Sequence, residues 1–370
     1  MQSKPILVYL NHDCYTDTDM TILKHLADDY RVIWYYIHNS IKEIHKITKQ
    51  QALDYASNYG IEVRIVDPLR HNSNPKNLLL YINIAKEINT FNPDIVYHSN
   101  RDPYWCLAIK WVLKCKHVLL GVHDVKSHSY NLTKSRLLDK YSKGFSLKVH
   151  KHFVTFSTNQ HDLLLEAYGK ESCMVGMSYK DFGKSEKQVP PIVDGVKLLF
   201  FGSINTYKGL DILIESLEKL RTEGICNITL TIAGKGQAWP ICKALIKTKE
   251  MYDLQVRFVD NSEIPDLMST HHFLILPYRD ATQSGPLATA VAYEVPIIAP
   301  AFGCFIETYD NESAFLYPQG SLEETLRSVA SISPTEYDLK KAACAKIKMA
   351  NSEECIAANY KRFFNSFLLI

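Results

Sequence analysis

Short β-rich runs alternate with amphipathic helical patterns along the whole chain, and this alternation restricts the fold more than any other feature. Apolar runs such as PILVYL (5–10), RVIWYYI (31–37) and EVRIV (62–66) alternate with helical stretches such as DMTILKHLADD (19–29) and NLLLYINIAKEIN (77–89). Consecutive strands joined by crossover helices are parallel, and helices then cover both faces of the sheet. The alternation therefore predicts a doubly wound α/β architecture.

The same pattern occurs twice. The polar segment GKSEKQVPPIVDG (183–195), with its Pro-Pro pair, is typical of a linker, and the alternation restarts directly after it at VKLLFFG (196–202). At 370 residues the chain also exceeds one ordinary domain of about 150 residues. The sequence thus predicts two Rossmann-like domains that face each other across a cleft.

The predicted domain bounds are 1–187 for an N-terminal Rossmann-like domain and 188–350 for a C-terminal one. The last helix, within 351–370, is amphipathic and is expected to cross back to the N-terminal domain. Ligands of doubly wound sheets bind at the carboxyl ends of the strands, so chemistry is expected in the cleft.

The composition and the N-terminal segment indicate where in the cell the protein is expected. No apolar run approaches the roughly 20 residues of a membrane span, and the N-terminus MQSKPILVYLN lacks the features of a signal peptide. The 9 cysteines form no C-x-x-C and indicate reduced thiols. We expect a cytoplasmic protein, with peripheral contact to the inner face of a membrane as an open option.

The basic residues are unevenly distributed. They outnumber acidic residues up to position 190 and are densest in KSHSYNLTKSRLLDKYSKGFSLKVHK (126–151). A solvated helix face is one interpretation, and an anionic membrane surface or a phosphate-bearing acceptor is the other. The basic stretches lack interleaved base-stacking motifs, which argues against a nucleic-acid partner.

A single lysine follows one strand in the second half. In FGSINTYKGLDILIESL (201–217), an apolar run ends at Gly202, and Lys208 directly precedes an amphipathic helix. The free amides and positive end of a helix N-terminus favour an anion, and the lysine adds a full charge. This arrangement suits a diphosphate, although an exposed loop lysine is the simpler alternative.

A second helix start in the same half has similar properties. In LPYRDATQSGPLATAVAYEVPIIAP (276–300), Pro286 suits the first helical position, which would leave the amides of Leu287 and Ala288 open to a phosphate. Gln283 and Ser284, just before Gly285, can donate to sugar hydroxyls or phosphate.

These elements together resemble a known family. FFGSINTYKGLDILIESL, LTIAGKG, VRFVDNSEIPDLMS, the 276–300 segment with its extension to GCFIE, and AFLYPQGSLEETLRSV match, in order and spacing, the donor-binding domain of the family 4 (group 1) glycosyltransferases, which have the GT-B fold. The first half fits only in its fold pattern and in the VHD at 122–124. The resemblance implies a sugar-nucleotide donor in the second domain and an acceptor in the first.

The resemblance also assigns roles to individual residues. Gly202 and Lys208 match family positions, whereas Ser203 stands where the family has an arginine, and Arg279 is a candidate replacement for that charge. Further donor-binding candidates are the base-holding turn and a family glutamate, namely Val259, Asp260 and Glu307, together with Gln283, Ser284, Gly285, Leu287, Ala288 and Thr289.

The family's two glutamates eight positions apart are absent, because Ala281 and Thr289 stand in their places. The QSG version of this loop resembles a branch of the family, so we interpret the change as a variant site rather than an inactive one.

In the first half, His123 ends a strand, and the resemblance implies that it contacts the donor sugar while Asp124 orients it or acts on the acceptor. His98 and Asn100 follow another strand and are weaker candidates, since a strand-end histidine is often only a satisfied polar group. The DTD at 17–19 matches a metal motif of the other glycosyltransferase fold, but Asp and Thr before a helix favour capping.

The residues together with this resemblance imply a hexosyl- or related glycosyltransferase, retaining as the family is and metal-independent, with His123, Asp124 and Lys208 as catalytic residues. Its expected partners are a sugar nucleotide and a glycan or lipid-linked acceptor in surface polysaccharide or glycolipid biosynthesis. A sugar-nucleotide epimerase on the same fold and a non-catalytic partner that binds nucleotide sugar remain the alternatives.

Overall fold

The computed structural model describes residues 3–12, 16–38, 47–68, 74–99, 102–123, 125, 135–179, 181–281 and 284–368, with the backbone alone at 135–141. The chain forms two compact units. The first comprises Met1–Ser178 with Ser352–Ile370, and the second comprises Tyr179–Asn351. The Pro-rich segment 183–195 therefore belongs to the second unit.

The first unit is built on a parallel sheet of order β3-β2-β1-β4-β5-β6-β7. Its strands are β1 (Ile6–His12), β2 (Arg31–Ile37), β3 (Glu62–Val66), β4 (Ile95–His98), β5 (His117–Val122), β6 (His152–Thr155) and β7 (Cys173–Met174). Its helices are α1 (Thr16–Asp29), α2 (Lys49–Asn58), α3 (Lys76–Phe91), α4 (Pro103–Trp111), α5 (Ser135–Val149) and α6 (Thr158–Tyr168), together with the C-terminal helix described below.

The second unit repeats this plan, with sheet order β10-β9-β8-β11-β12-β13. Its strands are β8 (Val196–Phe201), β9 (Ile228–Ala233), β10 (Tyr252–Gln255), β11 (Phe273–Ile275), β12 (Ile297–Pro300) and β13 (Ala314–Tyr317). Its helices are α7 (Leu210–Thr222), α8 (Trp239–Leu245), α9 (Ile264–Ser269), α10 (Gly285–Ala292), α11 (Cys304–Thr308), α12 (Leu322–Ala330) and α13 (Pro334–Ala350).

Apolar cores cover both faces of the second sheet. Leu198 and Phe200 of β8 pack into one core with α7 and α12, whereas Leu199 packs into the opposite core with Leu274 and Leu287. Strands that are buried on both faces are continuously apolar rather than alternating, which explains the VKLLFF run. The predicted doubly wound class is confirmed.

The strand order reverses between β1 and β4 in the first unit and between β8 and β11 in the second. Two crossover connections leave such a point in opposite directions, which opens a crevice at the carboxyl ends of the two central strands. The end of β8 is Phe201, so Gly202 and the residues after it lie at the crevice of the second unit.

The last helix, α14 (Glu353–Asn365), packs against α1 of the first unit. Lys361 pairs with Asp29 at 2.6 Å, and the Tyr30 hydroxyl donates to Asn365 at 2.6 Å. Phe364 is buried against the Tyr30 ring. In the described part of the chain, no helix combines the length and apolar character needed to cross a membrane.

Two predicted element bounds are wrong. The apolar run QVRFVD (255–260) predicts a strand, but β10 ends at Gln255, because Arg257 pairs with Glu263 and the Asp260 side chain caps the short turn that follows. The DTD at 17–19 lies inside the first turn of α1, which begins at Thr16, rather than before the helix.

Candidate functional site

The crevice of the second unit is formed by backbone that packs closely at the ends of β8 and β9. A Cβ built on Gly234 would lie 1.8 Å from the carbonyl oxygen of Gly202, so only glycine allows this approach. Gly202 has a φ of 115°, and a Cβ there would lie 3.2 Å from Pro286 Cγ and 3.6 Å from Lys208 Nζ. Gly202, Lys208 and the start of α10 therefore meet at one point.

Lys208 is a buried cation at this point. It ends a short 3₁₀ turn, is 5% exposed, and donates from Nζ to the Tyr278 hydroxyl oxygen at 2.7 Å. Its ammonium also lies 4.6 Å from the centroid of the Tyr278 ring. Burial lowers the pKa of Lys208, and Tyr207 and Cys304 are the neighbouring groups that oppose this shift. Among the described residues no carboxylate forms an ion pair with it.

A row of hydrogen bonds leads from Lys208 to the N-terminus of α10. The Tyr278 hydroxyl lies 3.2 Å from the Ser284 hydroxyl, and Ser284 is the N-cap of the helix, accepting from the Leu287 amide at 3.3 Å. All three side chains of the row, Lys208, Tyr278 and Ser284, are buried.

This row has more donors than acceptors. A lysine ammonium has three N–H groups and no acceptor, and a hydroxyl has one donor. Tyr278 accepts from Lys208, and only one of the Tyr278 and Ser284 hydroxyls can donate across the 3.2 Å between them. The other hydroxyl proton and the Gly285 amide have no acceptor in the described ranges. An acceptor-only anion such as phosphate complements this set, aided by the positive end of α10.

The Leu287 and Ala288 amides, which the sequence predicts to be open, both have acceptors. The Leu287 amide donates to the Ser284 side chain, and the Ala288 amide donates to the Ser284 carbonyl at 3.2 Å. The expectation that both are open is wrong, because Ser284 caps the helix and draws both bonds to itself. Gly285 supplies the open amide instead, with no atom near the position of a side chain. Gln283 lies outside the described residues.

The N-terminus of α7 already holds a carboxylate. Burial alone would raise the pKa of Asp211, but hydrogen bonds from Arg279 and from the amides of Ile212 and Asp211 itself lower that pKa overall. The Asp211 and Ile212 amides at this helix start are therefore engaged rather than open. The start of α10, with its open Gly285 amide, is the candidate anion site of the unit.

Arg279 joins two loops of the unit. Its guanidinium makes two bonds of 2.8 Å to Asp211, and its own amide donates to the Tyr207 carbonyl at 2.7 Å. These bonds fasten the loop after β11 to the start of α7. Arg279 as a phosphate ligand stays a prediction.

The remaining predicted residues of this unit differ in exposure and in hydrogen-bond partners. Ser203 is exposed and accepts from Asn205 at 3.2 Å. Thr289 is 2% exposed, and its hydroxyl donates to the Gly285 carbonyl within the helix, so it offers no hydroxyl to solvent. Glu307 is exposed on α11. Burial, and to a smaller extent the charge of Glu307, raise the pKa of Cys304 to about 12.

The turn expected to hold the base has a definite structure. Val259 is buried, and Asp260 is exposed and caps the 3₁₀ turn Asn261–Glu263 through a bond from the Ser262 amide at 3.0 Å. The Asp260 side chain and the Asp260 amide, which donates to Glu263 at 2.9 Å, are thus engaged locally, and contact of this turn with a base stays a prediction.

In the first unit, His123 directly follows β5 and stacks on Phe156, with 4.1 Å between ring centroids. Asp124 and Asn100 lie outside the described residues. His98 is fully buried, and its Nε2 lies 2.8 Å from His150 Nε2. It is therefore a core residue. Because His150 Nδ1 lies 2.7 Å from the Ser146 carbonyl, Nδ1 carries a proton and His98 donates across the pair.

Asp19 of the DTD motif is buried, accepting from the Tyr9 hydroxyl at 2.9 Å and from Asn11 at 2.7 Å. Across the described ranges, no three His, Cys, Asp or Glu side chains form a group that could hold a metal ion. Of the basic stretch, 126–134 lies outside the description, and Lys143 is buried and donates to the Val125 carbonyl at 2.9 Å. That lysine is structural and does not belong to a solvated face.

Sequence reasoning missed Tyr278. It lies in the LPYR segment after β11, but nothing in the sequence distinguishes it from an ordinary core tyrosine. It is 70 residues from Lys208 in the chain, and only the pairing of β8 with β11 brings the two together.

Comparison with known proteins finds a matching family model for the second unit. Residues 195–333 match the family model described as Glycosyl transferases group 1. A GDP-mannose:glycolipid 4-beta-D-mannosyltransferase of Xanthomonas campestris pv. campestris is 27% identical over 108 residues, which is 28% of this chain and 30% of that protein. The chain thus spans about three tenths of the length of the curated relative. The group 1 resemblance is confirmed for the second unit, and its assignment to family 4 stays a prediction.

Solved structures match over the whole chain. A glycosyltransferase from Rickettsia africae has a TM-score of 0.72 at 19% identity, covering 99% of each chain. HepE from Anabaena, solved with UDP and glucose, has a TM-score of 0.70 at 13% identity, covering 98% of this chain and 100% of that one. At these identities the likeness concerns the fold, and the predicted GT-B fold is confirmed.

Proposed function

We propose that this protein is a glycosyltransferase that moves a sugar from a nucleotide-diphosphate donor to an acceptor hydroxyl. The observation that carries the proposal is the buried ammonium of Lys208, which lies at the crevice of the second sheet without a carboxylate partner among the described residues. A buried cation costs free energy unless an anion approaches it. The donor diphosphate is that anion, in keeping with the group 1 match of residues 195–333.

Lys208, Ser284 and the Gly285 amide would stabilise the leaving group. As the bond between the sugar carbon and the phosphate oxygen breaks, charge builds on the diphosphate, and donors fixed in a poorly solvated site lower the energy of that state. The acceptor oxygen forms the new bond to the sugar, and its proton passes to the departing phosphate oxygen. We propose attack on the same face, with retention of anomeric configuration, and NMR of the product would report it.

We propose that the diphosphate charge is met by these groups without a metal ion. Turnover would then persist in excess EDTA, and loss of turnover that Mg²⁺ or Mn²⁺ restores would contradict this part of the proposal.

The acceptor is proposed to be a glycan or a lipid-linked sugar bound by the first unit near His123 and Asp124. The Xanthomonas relative is named for a glycolipid acceptor, which favours surface polysaccharide or glycolipid biosynthesis.

We further propose that the protein is cytoplasmic and contacts the membrane peripherally. The membrane contact is supported by Trp111, which is 61% exposed, and by the exposed Lys110, Lys114 and Lys116 beside it. Co-sedimentation with vesicles containing anionic lipid tests this contact.

A non-catalytic sugar-nucleotide binder is the second candidate. It is favoured by one observation, which is that Ala281 and buried Thr289 stand where the family carries two glutamates. Product analysis separates the candidates: a transferase releases nucleoside diphosphate with an acceptor present, an epimerase changes the sugar nucleotide without one, and a binder does neither.

The decisive experiment measures thermal stabilisation by UDP-, GDP- and dTDP-sugars. A ligand at a hundredfold excess over its Kd stabilises the folded state by about 2.7 kcal/mol. We expect one donor class to stabilise the wild type, and Lys208→Met to bind that donor about a hundredfold more weakly, since bonds to charged groups contribute about 1.5–3 kcal/mol.

Lys340→Met is the matched control. Lys340 is also a buried lysine of the second unit, but it donates to the Asn311 and Ala314 carbonyls at 2.8 and 2.9 Å. Its loss should lower stability and leave donor affinity unchanged. Equal donor affinity in wild type and Lys208→Met would overturn the proposed function.

A further inference from the structure

Tyr278 lies at the centre of the row that joins Lys208 to Ser284, and nothing in the family pattern assigns it a role. We propose that Tyr278 is a positioning residue for the donor diphosphate, whose hydroxyl fixes the Lys208 ammonium and the Ser284 hydroxyl in one geometry. This inference rests on the proposed function of the same site.

The Tyr278 hydroxyl has a fixed position because its ring is held on several sides. The ring is buried and packs edge-on against Phe305 at 5.4 Å and Tyr207 at 6.1 Å. Its backbone is held as well, since the Tyr278 amide donates to the Leu276 carbonyl at 2.8 Å. A phenol on such a frame has few rotamers, so its oxygen is a rigid reference point in the crevice.

Lys208 needs such a reference. A lysine side chain is a four-carbon stem with a compact charge, and holding it in one rotamer costs conformational entropy. The 2.7 Å bond to Tyr278 directs one N–H of the ammonium and leaves two for a ligand. Without the hydroxyl, the ammonium would keep its contacts with the Tyr278 and Tyr207 rings, at 4.6 and 5.8 Å from the centroids, which fix its direction poorly.

When an anion binds, all hydrogen bonds of the row would donate in the same direction, towards the anion. A phosphate oxygen only accepts, so Ser284 would donate to it, Tyr278 would donate to Ser284, and Lys208 would donate to Tyr278. Hydrogen bonds in such a chain polarise one another, so each becomes stronger than it is alone. Tyr278 thereby links two ligands of the diphosphate that are 76 positions apart in the sequence, Lys208 and Ser284.

The test is Tyr278→Phe, which removes the hydroxyl and keeps the ring. We expect the Kd for whichever of UDP, GDP or dTDP binds the wild type to rise about tenfold, with KM for the donor rising in parallel. Tyr309→Phe is the matched control. Tyr309 is a buried tyrosine of the same core whose hydroxyl donates to the Val295 carbonyl at 3.1 Å, so its loss should affect stability alone.

A pH profile and a double-variant cycle give readouts that a structural role would not move. The bond to Tyr278 stabilises the protonated amine, so in Tyr278→Phe the pH at which nucleotide affinity falls should shift downward. The combined Tyr278→Phe and Ser284→Ala variant should lose less affinity than the product of the two single losses, because both interrupt one row. If Tyr278→Phe folds poorly, the nucleotide affinity of Ser284→Ala is measured in its place. A Kd within twofold of the wild type, in whichever of the two variants is measured, would overturn the inference.

The outcomes separate this inference from the function that underlies it. If Lys208→Met loses nucleotide binding while Tyr278→Phe binds like the wild type, the site stands and the positioning role is overturned. If both variants bind like the wild type, the proposed diphosphate site itself is overturned. An unchanged pH profile with a weakened Kd would also reject the positioning role, since it would indicate a general loosening of the core.

Discussion

The two units share one topology but differ at the carboxyl ends of their central strands. In the first unit, polar side chains near these ends bond to one another: Asn11 to Asp19, and His98 to His150. In the second unit, the row that begins at Lys208 ends in donors without an acceptor among the described residues. Strand order thus determines where a crevice lies, whereas the balance of donors and acceptors determines whether the crevice suits an anion.

Two buried lysines make the same contrast. Lys143 of the first unit donates to the Val125 carbonyl, which is a pure acceptor and ends the chain of bonds. Lys208 donates to a phenol, which can donate onward in turn. The Lys143 ammonium thus holds a backbone group, whereas the Lys208 ammonium is linked through Tyr278 to the Ser284 hydroxyl at the start of α10.

The largest predicted effect concerns the backbone beneath each crevice. A Cβ on Gly234 would meet the Gly202 carbonyl at 1.8 Å, while a Cβ on Gly121 of the first unit would meet the Tyr97 hydroxyl, which is the end of a side chain. We expect Gly234→Ala to lower the free energy of unfolding by about 4 kcal/mol or more, and Gly121→Ala by about 2 kcal/mol, because a side chain can move and a backbone cannot. Urea unfolding measures both.

Gly183→Ala isolates the conformational part of this effect. Gly183 also has a positive φ, 104°, but no atom lies within 4 Å of its missing Cβ. Its substitution should cost about 1–2 kcal/mol, because a residue with a Cβ is strained at a positive φ. If Gly234→Ala were no worse than Gly183→Ala, the close approach of β8 and β9 would not be what shapes the site.

Much of this fold follows from local sequence. The runs RVIWYYI and EVRIV coincide with β2 and β3, because β-branched and aromatic residues there are bounded by polar ones. Lys208 could be singled out because a strand end, a lysine and a helix start are contiguous. Tyr278 could not, since its partner is 70 residues away and the pairing of β8 with β11 decides the contact. The prediction of open Leu287 and Ala288 amides is wrong because Ser284 caps the helix, and its side chain and carbonyl accept from them.

The next effect tests the histidine pair of the first unit. Burial lowers the pKa of His150 to about 4 from its ordinary value of 6.5. Between these values the unfolded chain binds a proton that the folded one does not, so stability is complete above about pH 6.5 and falls as the pH drops towards 4. We expect a loss of about 2–3 kcal/mol over this window, reduced in His150→Asn, as measured by urea unfolding at a series of pH values.

His272 of the second unit is a second source of the same pH dependence of unfolding, because burial lowers its pKa to about 4 as well. It accepts from the Lys197 amide at 2.9 Å, and its Nε2 lies 3.0 Å from the Pro190 carbonyl. A pH dependence of unfolding that is unchanged in His150→Asn would show that the His98–His150 pair is not the sensitive element of the first unit.

A smaller effect sharpens the role of Arg279. Its bidentate pair with Asp211 is about three-quarters buried. If the pair is structural, Asp211→Ala and Arg279→Met should each lower the free energy of unfolding by about 1–2 kcal/mol and leave the nucleoside-diphosphate Kd within about twofold. If Arg279 instead serves the donor, Asp211→Ala would free its charge and tighten binding, whereas Arg279→Met would weaken it as Lys208→Met does.

The smallest predicted effect is the pH dependence of donor affinity. Burial lowers the pKa of Lys208, so the amine loses its proton at a lower pH than an exposed lysine does. A bound diphosphate favours the protonated form, and affinity should therefore be complete below that pKa and fall about tenfold as the pH rises through it. Calorimetric titration of nucleoside diphosphate at a series of alkaline pH values measures this fall. Lys208→Met should lack it, and Lys143→Met, which removes the buried lysine of the first unit, should retain it. Retention in both variants would place the titrating group elsewhere and would end the contrast between the two buried lysines.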